Sequence, residues 1–120
     1  MNNMKNILLI VGIVVILGGA MWYFSRPRSA YGNLDSFAQC LAEHDITMYG
    51  AEWCSHCQNE KAQFGKSFTY VPYVECPDNP KLCLEKGVEG YPTWLLPDGT
   101  KLKGEQGIEN LSKASGCALQ

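Results

Sequence analysis

The sequence predicts an α/β domain in which helices flank a mixed sheet, preceded by one transmembrane helix. The transmembrane helix is predicted from residues 7–24, eighteen uncharged and almost wholly apolar residues, the lower end of what spans a bilayer core. The α/β domain is predicted because segments with helical periodicity alternate with short apolar runs before a final hairpin. A parallel crossover followed by an antiparallel hairpin gives a mixed sheet covered by helices.

The N-terminal segment has two interpretations. Its apolar run closes with three aromatic residues at 22–24, as membrane spans do at an interface. A signal peptide cleaved after Ala20 is the alternative, since small residues precede that point. We expect an uncleaved anchor over 1–24, because the aromatic cluster would make an odd mature N-terminus. Residues 25–33, which contain Pro, Gly and two Arg, are predicted to be a linker to a domain over 34–120.

Charge and cysteine content indicate the compartment and exclude one class of partner. Basic residues flank the apolar run almost equally, so they do not decide its orientation. All six cysteines lie within 34–120, a density typical of chains that leave the reducing cytosol. We therefore expect this domain on the extracytoplasmic side of the cytoplasmic membrane. Its formal charge of −5, without a basic stripe, argues against nucleic acid as a partner.

The helices of the domain are predicted from apolar spacing and capping residues. Asn33 is a suitable N-cap for the first helix. In the second helix we expect Ala62 to point inward and Lys61 to point outward. In the closing helix, Ala114 is expected on the buried face and Gly116 at the C-terminal cap.

The strands are predicted from short apolar runs and turn signals. Pro72 removes a ladder donor, so its strand should lie at a sheet edge. Asp98-Gly99 is a strong hairpin signal. The predicted order is helix 34–42, strand 46–50, helix 58–67, strand 71–76, helix 80–86, strands 93–96 and 100–103, and a closing helix from 108.

The chemistry is predicted from Cys54 and Cys57, which are separated by two residues where a strand gives way to a helix. Such a pair can close and reopen a small disulfide ring. Cys54 is predicted to be the attacking sulfur, because unpaired N–H groups at the start of a helix stabilise a thiolate. Cys57, one turn further on, is the predicted resolving thiol. His56, Ser55 and Trp53 are expected to tune the pair, His56 by its charge and Trp53 as a flat apolar contact.

The four other cysteines are predicted to be structural. Cys76 and Cys83 are close in sequence and predict a disulfide that is structural or slowly exchanging. Elimination suggests that Cys40 and Cys117 form a third bridge, with a free Cys117 that pairs with a partner protein as the competitor. A zinc site is a further alternative, with Cys54 and Cys57 as one half and Cys76 and Cys83 as the other. The spacing of Cys76 and Cys83 fits such a site poorly, and we expect no metal.

These motifs resemble a known fold family, the thioredoxins. The residues Ala51-Glu52-Trp53-Cys54-x-x-Cys57, Asp78-Asn79-Pro80 and Gly90-Tyr91-Pro92-Thr93 stand at matching spacings. The thioredoxin-like domain appended to bacterial and plant homologues of vitamin K epoxide reductase is a closer resemblance, over about 34–117. It is carried by Met48-Tyr49-Gly50-Ala51, Gln58 with Lys61, Phe64-Gly65-Lys66, Tyr73-Val74-Glu75-Cys76 and Gly90-Tyr91-Pro92-Thr93-Trp94. Here the domain is expected to stand alone on a single anchor.

The resemblance implies a thioredoxin-like fold and a substrate site. Pro92 is expected to be cis and to face the cysteine pair, leaving the backbone of Tyr91 to bind an extended substrate. A His between the cysteines is similar to the oxidising bacterial members. Two departures stand out. No first strand precedes Leu34, and Met48 replaces the buried acid that thioredoxins carry, for which Glu52, Glu60 or water could substitute.

The predicted function is a membrane-anchored extracytoplasmic thiol–disulfide oxidoreductase, without a cofactor, that donates disulfides to cysteine-containing exported proteins. The resemblance implies that a quinone-linked membrane protein of the vitamin K epoxide reductase type re-oxidises it. One alternative is a reducing protein of the same fold, serving cytochrome c maturation or disulfide repair. Another is a non-catalytic binding or zinc module.

Overall fold

The computed structural model describes residues 1–24 and 31–120, so most of the predicted linker lies outside the described residues. The predicted order of elements is confirmed, with a short 3₁₀ helix (Gly65–Tyr70) after α3. The helices are α1 (Asn2–Phe24), α2 (Asp35–Glu43), α3 (Ser55–Phe64), α4 (Pro80–Glu85) and α5 (Ile108–Ser115). The strands are β1 (Thr47–Gly50), β2 (Tyr73–Glu75), β3 (Thr93–Leu95) and β4 (Lys101–Lys103).

The sheet is mixed, as predicted, with the strand order β2-β1-β3-β4. Strand β1 is parallel to β2 across the α3 crossover and antiparallel to β3, and β3 is antiparallel to β4. Pro72 therefore leads into an edge strand, where its missing N–H costs no ladder bond, while its carbonyl accepts a bond from the N–H of Met48. Among the described residues no strand precedes α2.

The start of α2 is fixed by side chains from two segments. The Asn33 side chain accepts a hydrogen bond from the N–H of Asp35 at 2.8 Å, although the backbone cap falls one residue later, at Leu34. The hydroxyl of Ser67 accepts a bond from the N–H of Leu34 and donates one to the Asp35 carboxylate. The buried Ser67 thus ties the 3₁₀ helix to α2.

Two predictions of helix orientation are wrong. Ala62 and Ala114 are both exposed. The reason for Ala62 is that α3 begins at Ser55, three residues before the predicted start, and buries Cys57, Glu60 and Phe64 instead. Helix α5 buries Ile108 and Leu111 near its start, and Ala114 falls off that face.

The core lies between the sheet and the helices. Trp94 on β3 is fully buried and its ring lies 6.1 Å from that of Phe64, which stacks in turn on Phe37 of α2. These contacts join the central strand to two helices and set the position at which α3 meets the sheet.

Helix α1 is long and apolar enough to cross a membrane. Its candidate span is Asn2–Tyr23, with a mean hydropathy of 2.2, and none of that window is buried against the rest of the chain. An N-terminal signal sequence has the same features, so both predicted interpretations of this segment stand.

Candidate active site

The Cys54 sulfur lies at the mouth of α3. Cys54 is the N-cap residue, in an extended conformation, and its sulfur accepts a hydrogen bond from the N–H of Cys57 at 3.3 Å. Its backbone carbonyl accepts the first helical bond, from the N–H of Gln58. Both thiols of the pair are free. An N-cap sulfur that receives a backbone N–H is in the position where a helix stabilises negative charge.

The loop before β3 faces this sulfur. The Tyr91–Pro92 peptide bond is cis, as the resemblance implies, and the carbonyl of Tyr91 accepts a hydrogen bond from the Cys54 thiol at 3.6 Å. Trp53 is 72 % exposed and meets the Tyr91 ring edge-on at 6.0 Å. Next to the sulfur there is therefore a backbone carbonyl and an exposed aromatic surface.

Cys57 is fully buried behind Cys54. Burial, followed by the hydrogen bond with Cys54, raises the pKa of its thiol to about 12, although the positive charge of Lys61 lowers it. Gly50 makes room for this sulfur, because a Cβ at that position would lie only 3.0 Å from it. A thiol in this environment is protonated at neutral pH.

His56 is paired with an acid from the loop before α5. Its Nδ1 lies 3.0 Å from the carboxylate of Glu105, in the loop before α5. The imidazole is two-thirds exposed, so the pair is weak in energy. Glu105 nevertheless places a negative charge against the one basic side chain between the cysteines, and it opposes the effect that we predict for His56.

Glu60 is the buried acid of the domain. Its two carboxylate oxygens accept hydrogen bonds from the N–H groups of Gln106 and Gly107, at 2.6 and 2.8 Å, which links α3 to the start of α5. Met48 is buried at the position where thioredoxins carry an acid, and Glu52 is exposed. Of the two acids that we considered as substitutes, Glu60 is thus the buried one, but its oxygens accept hydrogen bonds from the loop before α5.

The burial of Glu60 predicts a change of stability with pH. Burial raises the pKa of this carboxyl, and the two N–H bonds offset the rise only in part. Between the unfolded pKa of about 4.3 and the higher folded pKa, the folded state holds more protons than the unfolded state. The unfolding free energy of the wild type should therefore fall with rising pH in this window, relative to Glu60→Gln.

Urea unfolding over a pH series measures this difference. The exposed acid Glu43 supplies the control, because Glu43→Gln should follow the wild type at every pH. A wild type that gains stability over Glu60→Gln as the pH rises would contradict the prediction, since it would mean that the N–H bonds outweigh burial.

The four outer cysteines are joined in the pairs that we expected. Cys40 of α2 is bonded to Cys117 beyond α5, and Cys76 is bonded to Cys83 of α4. Cys76 and Cys83 are therefore not available to complete a four-cysteine site with Cys54 and Cys57. His44 Nδ1 lies 4.0 Å from the Cys117 sulfur, but both sulfurs there are also taken up by a bridge.

Sequence reasoning missed the residues around Cys57. We predicted that Lys61 points into solvent, but it is half-buried, with its ammonium 3.8 Å from the centre of the Tyr73 ring. The Tyr73 hydroxyl donates a hydrogen bond to the carboxylate of Glu75. Tyr73 and Glu75 are two residues apart in β2, so strand alternation would have placed them on one face.

A dithiol at a helix mouth, opposite a cis-proline loop and beside a mixed sheet, defines a domain of the thioredoxin class. A family model described as Thioredoxin matches residues 30–115, and the chain therefore belongs to the thioredoxin family.

Three relatives add detail. The chain is 38 % identical over 110 residues to "Thiol-disulfide oxidoreductase LTO1" of Arabidopsis thaliana, over 81 % of this chain and 28 % of that protein. It is 35 % identical over 68 residues to a "Protein disulfide-isomerase" of Arthroderma benhamiae, over 49 % of this chain and 13 % of that protein. It is also 30 % identical over 98 residues to the "Thioredoxin domain-containing protein 5 homolog" of Drosophila melanogaster, over 71 % and 23 %. The chain thus spans less than a third of each relative, and two of them carry names of the predicted reaction class.

Proposed function

We propose that the chain is a membrane-anchored, extracytoplasmic thiol–disulfide oxidoreductase that donates disulfides to exported proteins. The observation that carries the proposal is the free Cys54 thiol at the N-terminus of α3, with its sulfur accepting a backbone N–H and Cys57 buried behind it. The Cys54 sulfur is placed for attack by a substrate, and the Cys57 sulfur is placed to leave Cys54 or to attack it. Disulfide exchange requires both.

In the donor direction the pair starts as a Cys54–Cys57 disulfide. A substrate thiolate attacks the Cys54 sulfur, and the Cys57 sulfur leaves as the bond between the two breaks. A second thiolate of the substrate then attacks the substrate sulfur of the mixed disulfide. The substrate disulfide forms, and Cys54 leaves as a thiolate. The Cys57 N–H at 3.3 Å stabilises that leaving thiolate. The substrate loses two electrons and the pair gains them.

The substrate is proposed to bind as an extended segment along the loop of Tyr91 and Pro92. The Tyr91 carbonyl is 3.6 Å from the Cys54 sulfur, so a backbone paired with this loop would bring its own cysteine to Cys54. Trp53, 72 % exposed, offers an apolar face to the neighbouring side chains. These contacts favour a chain that is not yet folded, since a folded chain presents few extended segments.

The proposed compartment and partner rest on the other cysteines and on α1. Two further disulfides, Cys40–Cys117 and Cys76–Cys83, suit an oxidising compartment. A helix with the length of a membrane span would hold the domain beside that membrane. A membrane protein of the vitamin K epoxide reductase type, which the sequence resemblance suggests, would then re-oxidise the pair and pass its electrons to a quinone.

A reducing protein of the same fold is the second candidate. The contact of Glu105 with His56, at 3.0 Å, favours it, because a carboxylate opposes the stabilisation of a thiolate by the imidazolium. A less stable thiolate makes the pair a weaker oxidant.

The redox state of the pair in cells separates the two candidates. Thiols are trapped with an alkylating reagent in intact cells that express the full chain, and alkylated forms are resolved by mass. We expect a mostly oxidised Cys54–Cys57 pair, and a mostly reduced pair would overturn the donor proposal in favour of the reductase. A Cys54→Ser/Cys57→Ser double variant gives the mass of a chain in which only the outer cysteines can react.

A further inference from the structure

The resolving thiol needs a route for its proton. Cys57 is fully buried, with none of its surface accessible to water. Burial raises its pKa to about 12, so near neutral pH the sulfur carries a proton that it must lose to attack. Proton transfer to bulk water is slow from such a site unless a side chain mediates it.

The edge strand β2 presents a hydroxyl to this sulfur across Gly50. A Cβ on Gly50 would lie 3.0 Å from the Cys57 sulfur and 3.3 Å from the Tyr73 hydroxyl oxygen. Both groups therefore border the same point, which a side chain at Gly50 would occupy. The charges of Cys57 and Cys54 also act on the Tyr73 hydroxyl, which agrees with this placement.

The hydroxyl of Tyr73 is connected in turn to a carboxylate. It donates a hydrogen bond to one oxygen of Glu75, at 2.5 Å, while the other oxygen accepts the N–H of Glu52 at 2.8 Å. Glu75 is half-buried and lies on the edge strand, so it can exchange a proton with solvent. The Lys61 ammonium covers the Tyr73 ring at 3.8 Å and adds a positive charge next to the thiolate that forms.

We propose that Tyr73 and Glu75 form the proton path of Cys57, Tyr73 as the relay and Glu75 as the terminal acceptor. As Cys57 resolves a mixed disulfide, its proton passes to the Tyr73 oxygen and the Tyr73 proton passes to Glu75. The Cys57 sulfur attacks Cys54, the bond from Cys54 to the substrate sulfur breaks, and the substrate leaves as a thiolate. In the donor direction the same path returns a proton to the Cys57 thiolate.

The other ionisable groups near this site do not replace the path. Cys54 is the reaction partner, and Lys61 is a cation that cannot accept a proton. Glu60 lies one turn further along α3, but both of its oxygens accept N–H bonds from the loop before α5. Glu75 is therefore the carboxylate that is hydrogen-bonded to Tyr73, whose hydroxyl borders the same point at Gly50 as the Cys57 sulfur. The inference rests on the proposed exchange between Cys54 and Cys57.

A two-step exchange with an aromatic disulfide tests the path on the full chain in detergent. One equivalent of dithionitrobenzoate reacts with the reduced pair, and Cys54 releases the first thionitrobenzoate. Attack by Cys57 releases the second. In Tyr73→Phe and Glu75→Gln the second release should slow by about 100-fold near neutral pH, with the first unchanged. The deficit should shrink as the pH approaches the pKa of Cys57, because hydroxide then removes the proton directly.

Matched variants control for structural damage. Tyr70→Phe removes a hydroxyl from an exposed tyrosine, and Glu85→Gln neutralises an exposed acid on α4; both should release the second product like the wild type. Alkylation and intact mass establish that only two thiols are free before mixing. Equal slowing of both releases, or an unchanged second release with an unchanged pH profile, would overturn the proton path. A wild type without a second release would overturn the proposed exchange itself.

Discussion

Replacement of Cys54 by Ser is expected to abolish disulfide exchange, whereas replacement of Cys57 is expected to stop the reaction halfway. Cys54 is the sulfur that faces the Tyr91 carbonyl, so without it no mixed disulfide forms. We expect the rate of peptide oxidation or insulin reduction to fall by about 1,000-fold or more. With Cys57→Ser the Cys54 sulfur still captures a substrate, but no buried thiol is present to release it.

The two variants are distinguished by what they accumulate. Cells that express Cys57→Ser should contain covalent complexes that run as larger species and disappear on reduction, whereas Cys54→Ser should give none. Ser36→Ala, an exposed change on α2, serves as the control for expression and folding. Exchange activity that survives in Cys54→Ser would rule out Cys54 as the attacking sulfur, and the non-catalytic module would then gain support.

Much of the fold could be predicted because its signals are local. Turn chemistry at Asp98-Gly99 predicted the hairpin, and the fixed φ of Pro72 and its missing N–H predicted an edge strand. The Cys-x-x-Cys spacing was enough to predict a redox pair, since one helical turn separates its sulfurs. The closeness of Cys76 and Cys83 in sequence predicted their bridge, and elimination then suggested the bridge between Cys40 and Cys117.

The parts that could not be predicted depend on tertiary placement. The helix after Cys54 begins at Ser55, so the face it buries includes Glu60 and not Ala62. An acid at a buried position contradicts the usual pattern and becomes acceptable only because the α5 loop supplies two N–H groups. Likewise, the contact between His56 and Glu105 joins residues 49 apart in sequence, for which no local pattern exists.

The surroundings of Cys57 illustrate the same limit at the site. Gly50, Lys61, Tyr73 and Glu75 belong to the segments that carry the family resemblance, yet nothing in their spacing assigns them a role. They come together because β1 and β2 pair in parallel, with Gly50 opposite Glu75, and because Lys61 of α3 lies over the Tyr73 ring. Chemistry that is assembled from three elements is visible only once those elements are packed.

Loss of the Cys40–Cys117 bridge is expected to be the largest single change in the stability of the domain. In the chain-entropy account, a bridge stabilises by restricting the unfolded chain, and the effect grows with the loop that it closes. Cys40 and Cys117 are 77 residues apart, whereas Cys76 and Cys83 are only 7 apart. We expect Cys40→Ala/Cys117→Ala to lower the unfolding free energy by about 4 kcal/mol, against about 2 kcal/mol for Cys76→Ala/Cys83→Ala.

Urea unfolding of the full chain in detergent measures both costs under identical conditions. The unfolding free energy of a small domain is about 5–15 kcal/mol in total. Cys40→Ala/Cys117→Ala, the long-range variant, should therefore be close to unfolding at physiological temperature, while Cys76→Ala/Cys83→Ala remains folded. Double replacement by Ala leaves no unpaired thiol that could exchange with Cys54. The denaturant slope serves as the internal control, because a more expanded unfolded chain raises it in the long-range variant. Equal costs for the two bridges would refute loop entropy as the source of this stability, and the packing of the half-buried Cys40 and the buried Cys117 would have to supply it instead.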